Sequence, residues 1–283
     1  MLSRPIRIDR QALSSIPFWS WPSALSVDAP LVAWLWQRFF AQSFAYRLNW
    51  HEQAVLVLTV WLIYVVDRII DSYKLDLQKP HSFRHAFYLK NRLVFVLVAA
   101  FALMADIYFI WVGLSNREII FGLTLFGGVL IYGFVGALGG WARAHKELSI
   151  GVLFSLGVNL ITLSQGVKPS LIVAMVLFAA LASLNCLLIA IWEAKLDQAQ
   201  GYQSAISQNT NIDKSVSLSL IILALLALLM FSYRANTFYL AILISAITMF
   251  YLDKHKAIFS TEVLRLLVDV ALLSPIIMVL LRP

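Results

Sequence analysis

Leu62-Ile63-Tyr64-Val65-Val66-Asp67-Arg68-Ile69-Ile70-Asp71 ends a long apolar run with two carboxylates four residues apart. Leu188-Ile189-Ala190-Ile191-Trp192-Glu193-Ala194-Lys195-Leu196-Asp197 does the same later in the chain. Apolar runs of about 20 residues can cross hydrocarbon as helices. Carboxylates at i and i+4 then share one helix face. The two stretches predict paired acids where membrane helices meet water, the geometry of a divided metal site.

Composition supports the membrane frame. Of 283 residues, 61% are hydrophobic and 13% charged, and mean hydropathy is +0.81, far from a soluble mix. The apolar runs lack the period-two alternation of a membrane barrel, so the spans are expected to be helices, which satisfy their own backbone groups in lipid. The predicted fold class is therefore an all-α, polytopic membrane protein forming one transmembrane domain over 1–283, with 1–22 as a cytoplasmic tail. That tail carries Arg4, Arg7 and Arg10 but no apolar core followed by a cleavage site, so no signal peptide is expected. The lone Cys186 excludes an intrachain disulfide and a cysteine-based metal site.

Nine spans are predicted, at about 23–44, 53–70, 92–113, 118–139, 147–166, 170–193, 215–232, 236–252 and 260–281. With the N-terminus inside, inner loops carry roughly three basic residues for each one outside, and both acidic pairs face the cytoplasm. The expected location is a bacterial inner (plasma) membrane. The net charge of +7 lies largely in short inner loops, where insertion and membrane lipids account for it. No nucleic-acid partner is predicted, because no basic stripe carries interleaved aromatics.

Four carboxylates brought together would repel, and divalent cations would relieve that repulsion. Oxygen-only ligands favour Mg²⁺, which takes few carboxylates and commonly bridges to substrate phosphates. The metal candidates are Asp67, Asp71, Glu193 and Asp197. Arg68, Arg84, Arg143, Lys146 and Arg265 are the basic groups able to complete a diphosphate site. Lys146 opens a span that contains Gly151, a residue permitting close helix approach. Asn185, two turns before Glu193, is a candidate lining residue.

In these features the chain resembles the UbiA superfamily of intramembrane prenyltransferases. The resemblance rests on Asp67-Arg68-Ile69-Ile70-Asp71 ending the second span, on Tyr132 to Lys146 with Gly151 leading into the fifth, on the acid-x-x-x-Asp motif ending the sixth, and on the nine-span layout. The chain departs from the family pattern at Ile63, where Asn is usual, at Glu193, where Asp is usual, and at Ile189, making it a divergent member. The resemblance implies Mg²⁺ held by Asp67 and Asp71 with Asp76, and a second ion held by Glu193 and Asp197. Lys146 would join the metals in stabilising a departing diphosphate. The implied activity is transfer of a prenyl group from a prenyl diphosphate to a lipophilic or aromatic acceptor.

Three other readings remain open: a UbiA-type terpene cyclase, a membrane transporter or divalent-cation carrier, and a non-catalytic membrane scaffold. Discontinuous helices at mid-membrane would favour the transporter. For the remaining polar residues, structural pairs Arg38–Asp106 and Arg265–Asp269 are expected. Trp19, Trp21, Trp34 and Trp36 read as interfacial anchors.

Overall fold

The computed structural model describes residues 18–73, 82–138, 146–200 and 212–280, and it is 90% helical with no strand among them. After short turns at Phe18–Ser20 and Trp21–Ala24 come α1 (Asp28–Phe44), α2 (Trp50–Tyr73), α3 (Phe83–Gly113), α4 (Asn116–Leu138), α5 (Lys146–Val158) and α6 (Leu160–Gln165). They are followed by α7 (Pro169–Gln200), α8 (Ile212–Arg234), α9 (Thr237–Lys254), α10 (Thr261–Ala271) and α11 (Ser274–Leu280). Five of these, α2, α3, α7, α8 and α9, are long and apolar enough to cross a membrane. The chain is therefore an all-helical, multi-pass membrane protein.

Two predicted spans are interrupted. The fifth divides at Asn159, whose amide donates to the Ser155 carbonyl at 3.0 Å. The ninth divides at Leu272–Leu273, and its cause is legible in the residues that follow. Pro275 has no N–H to offer the carbonyl four residues back. That carbonyl, on Ala271, accepts instead from Ser245 Oγ at 2.7 Å, while Leu272 accepts from Trp36 Nε1 at 2.8 Å. Ser274 Oγ donates in turn to the Ala241 carbonyl at 3.0 Å. Neighbouring helices thus replace the bonds that the break gives up, as apolar surroundings require.

The core lies where α1 and α7 meet α9. Trp36 packs its ring 4.4 Å from Phe178, and Phe40 lies 4.5 Å from Phe238, measured between ring centroids. Trp36 is 0% exposed, which corrects its reading as an interfacial anchor. Trp34, two positions earlier, is half-buried and bonds Gln53 instead. The difference is one of helix face, because two residues along a helix turn through about 200°.

Gly151 allows α5 to lie against the backbone of α7. A Cβ there would come 2.8 Å from the Ala179 carbonyl oxygen, and it would also strike the Ser183 side chain. Gly151→Ala is expected to destabilise the protein by about 1–3 kcal/mol through overpacking. Thermal unfolding in detergent checks this, and an unchanged midpoint would contradict the close approach.

Helices α3 and α4 follow one another directly yet diverge. Helix α3 rests along α2, whereas α4 rests on α5 and α6. A Cβ added at Gly127 or Gly128 of α4 would meet open space. Near the loop after α9, Lys256 clasps Asp213 at 2.9 Å and Asp253 at 3.2 Å. Burial alone would lower the lysine pKa, but the two carboxylates outweigh it and raise the value. The clasp therefore contributes fully below the unfolded lysine value of about 10.4 and is lost as pH climbs through the raised folded value.

Candidate functional site

Ser82 caps α3, its hydroxyl accepting from the Arg84 backbone N–H. The helix begins nine residues before the predicted span at 92 and bends at Asn91, whose amide donates to the Phe87 carbonyl at 2.8 Å. This extra segment carries Arg84 into the bundle. Tyr88, one turn after Arg84, anchors the segment, stacking on Phe95 at 4.0 Å and bonding Ser26 at 2.9 Å.

Arg84 Nη2 donates to Glu193 Oε1 at 2.9 Å. Arg265, from α10, donates through Nη1 to both carboxylate oxygens, at 2.9 and 3.0 Å. Arg68, from α2, stands within electrostatic range of Glu193 and Arg265. It is only 6% exposed. The first motif, the second motif and two further helices thus converge at one end of the bundle.

Three guanidinium groups around one carboxylate leave donors unused. Arg68 Nε, Arg84 Nη1 and Arg265 Nε are buried with no hydrogen-bond partner among the described residues. A cavity of about 20 Å³ lies against the cluster, with Ser20, Ser23, Ser82, Arg84, Glu193 and Arg265 in its wall. It has room for about one water molecule. Ser23 Oγ, on this wall, is also without a partner among the described residues.

Asp67 and Asp71 sit differently from Glu193. Asp67 is exposed and Asp71 half-buried, and the two lie about 40° apart around α2 at 3.6 residues per turn. Asp71 has a partner of its own. Lys146 is exposed at the start of α5, within electrostatic range of Cys186 on α7. Asn185 donates to the Val268 carbonyl at 3.1 Å and lies 3.5 Å from Asp269 Oδ1, tying α7 to α10. Arg143 and Asp76 lie outside the described residues, as does the side chain of Asp197.

Two expected pairs are replaced by others. Arg265 reaches across to Glu193 rather than along its own helix to Asp269. Asp106 accepts from Thr59 Oγ1 at 2.9 Å, while the Arg38 guanidinium lies 5.1 Å from the Trp34 ring centroid.

Sequence reasoning passed over Asp28, which stands within electrostatic range of Arg68, Arg84 and Arg265. The available signal was its place at the inner end of the predicted first span, the same side as both acidic motifs.

Among the described residues, no group of three or more His, Cys, Asp and Glu side chains is placed to hold a metal ion. The donor chemistry distinguishes the acids. Both Glu193 oxygens accept from guanidinium groups, so in this arrangement it is an arginine partner. Asp67 and Asp71 bring two carboxylates, hard oxygen donors of the kind Mg²⁺ takes alongside water and phosphate oxygens, to one turn of α2.

The chain matches no family model, no curated protein and no solved structure.

Proposed function

We propose that the chain is a magnesium-dependent intramembrane prenyltransferase of the UbiA type, acting on a prenyl diphosphate and a lipophilic or aromatic acceptor. The family assignment rests on the motifs and their order along the spans. The observation that carries the function is the meeting of both motif helices with Arg84 and Arg265. Buried guanidinium groups with unused N–H bonds favour a phosphoryl anion, because the guanidinium fork matches phosphate geometry.

In this reading Asp67 and Asp71 are the residues that would hold Mg²⁺. When bound, the ion supplies Lewis-acid neutralisation of the leaving group. Arg68, Arg84 and Arg265 bind the phosphoryl oxygens and place positive charge where the departing group develops negative charge. Lys146 adds a positive charge at the same end. The C–O bond to the diphosphate breaks, both electrons leave with oxygen, and the allylic cation is sheltered from water by apolar side chains. The acceptor then forms the new bond and loses a proton. The divergence of α3 from α4 supports lateral entry of a long prenyl chain. Nine crossings, a cytoplasmic N-terminus and a bacterial inner membrane belong to the same proposal.

The test is pyrophosphate release from geranylgeranyl diphosphate by detergent-purified protein, with a membrane lipid extract as acceptor source. Asp67→Asn and Asp71→Asn are each expected to lower the rate about 100-fold or more. Rates equal to wild type in both variants would contradict the proposal. Hydrocarbon products formed without any extract would identify the cyclase form of the same site.

The breaks in the fifth and ninth predicted spans favour a second reading, a cation carrier. Against it, the carbonyls of Val268, Ala271 and Leu272 already accept from Asn185, Ser245 and Trp36. Cation flux in liposomes that is abolished by Asp106→Asn would establish that reading instead.

A further inference from the structure

We propose that Glu193 is an internal stand-in for the substrate's phosphoryl group. Its carboxylate holds Arg84 and Arg265 in the empty protein and gives them up when a phosphate or diphosphate arrives. This role rests on the prenyl diphosphate reading and departs from the metal-ligand role that the family resemblance gives this position.

The first reason is the geometry. Arg265 addresses both oxygens of Glu193 through one nitrogen, at 2.9 and 3.0 Å, and Arg84 adds a third bond at 2.9 Å. A carboxylate presents two oxygens to these forks. A terminal phosphoryl group presents three and carries more charge, so it can take the same bonds and reach the unused Arg84 Nη1 and Arg265 Nε.

The second reason is space. The cavity beside the cluster is about 20 Å³, too little for a phosphoryl group. An anion therefore enters only as Glu193 withdraws and vacates the volume its carboxylate fills. Glu193 is largely buried but retains 19% side-chain exposure, and that opening gives its terminal torsions somewhere to turn.

The third reason is the cost of an unpaired buried charge. Removing a partner from a buried ion pair is strongly unfavourable, so an arginine site that opened to nothing would not hold together. Exchange of one anion for another keeps the guanidinium groups paired throughout. Asp28 and Asp269 also stand within electrostatic range of Arg265, and Glu262 lies on the cavity wall. No hydrogen bond joins any of the three to Arg84 or Arg265 among the described residues, so Glu193 is the anion that directly occupies the forks.

An occupying carboxylate competes with the ligand, and a neutral isostere does not. Inorganic pyrophosphate, geranyl thiodiphosphate and dihexanoyl phosphatidate are titrated calorimetrically into wild type and Glu193→Gln, first in EDTA and then with Mg²⁺. The variant is expected to bind both diphosphates about tenfold more tightly or better. Its melting temperature without ligand is expected to fall, and its rise on adding pyrophosphate is expected to exceed that of wild type. Glu193→Asp, which keeps the charge on a shorter arm, is expected to lie between the two and covers the case in which the glutamine variant does not fold. Weaker or unchanged diphosphate binding by both variants, while wild type still binds geranyl thiodiphosphate with Mg²⁺, would overturn the stand-in role and leave the prenyl diphosphate reading intact. Tightening for phosphatidate alone would keep the stand-in role and overturn the prenyl diphosphate substrate. Absence of binding to every protein, with or without Mg²⁺, would overturn both.

Discussion

Arg265→Ala is expected to abolish phosphoryl binding and to lower stability by roughly 3–5 kcal/mol, the range for breaking one partner out of a buried ion pair. The side chain supplies two of the three hydrogen bonds that Glu193 accepts from arginine. Without it, Glu193 keeps Arg84 alone, and a largely buried carboxylate loses most of its compensation. Arg265→Lys keeps the charge but not the planar fork, so intermediate stability and weak binding are expected. Equilibrium unfolding in detergent and pyrophosphate titration measure the two effects separately. Wild-type stability together with wild-type binding in the alanine variant would show that the cluster is incidental.

Trp36→Ala is the second large effect, expected to cost about 3–5 kcal/mol for loss of the ring from a packed core. The indole sits among Phe39, Phe40, Phe178 and Phe238. Its N–H also satisfies the Leu272 carbonyl at the break between α10 and α11. Trp36→Phe separates the contributions, since it keeps an aromatic ring and removes the donor. A loss of about 1–3 kcal/mol is expected there, the range for leaving one buried acceptor unpaired. Because α10 carries Arg265, both variants are also expected to weaken anion binding. Full stability of the alanine variant in thermal and denaturant unfolding would contradict the placement of α1 in the core.

Much of the helical architecture was legible because apolar runs of spanning length leave the backbone few alternatives in lipid. The motif acids on α2 and α7, the close approach at Gly151, and the placing of Arg84 and Arg265 at the same end of the bundle as Glu193 all came from residue type and position. What escaped was mostly a matter of facing. In a helix apolar on every side, hydrophobic periodicity no longer separates core from lipid, so Trp34 and Trp36 read alike although only Trp36 is enclosed. The pairing of Arg265 with Glu193 was hidden for a related reason, since sequence spacing reveals neighbours on one helix and not across two. The break at Leu272–Leu273 had a signal in Ser274-Pro275, but its tolerance depends on donors from Trp36 and Ser245, which lie far away in sequence. The helical segment before Asn91 was assigned to an inner loop because it is polar. It is nevertheless the segment that delivers Arg84.

The most direct measurement is the melting temperature of detergent-purified protein with Mg²⁺ and geranyl thiodiphosphate, added separately and together, with geraniol as the control for chain binding alone. Wild type is compared with the double variant Asp67→Ala, Asp71→Ala. A ligand that binds only the folded state stabilises by about 2.7 kcal/mol at 100 times its dissociation constant. The expected result is a rise that is largest with both ligands present, is absent with geraniol, and loses its Mg²⁺-dependent part in the double variant. No shift in wild type at saturating concentrations of both ligands would contradict a prenyl diphosphate site at the arginine cluster.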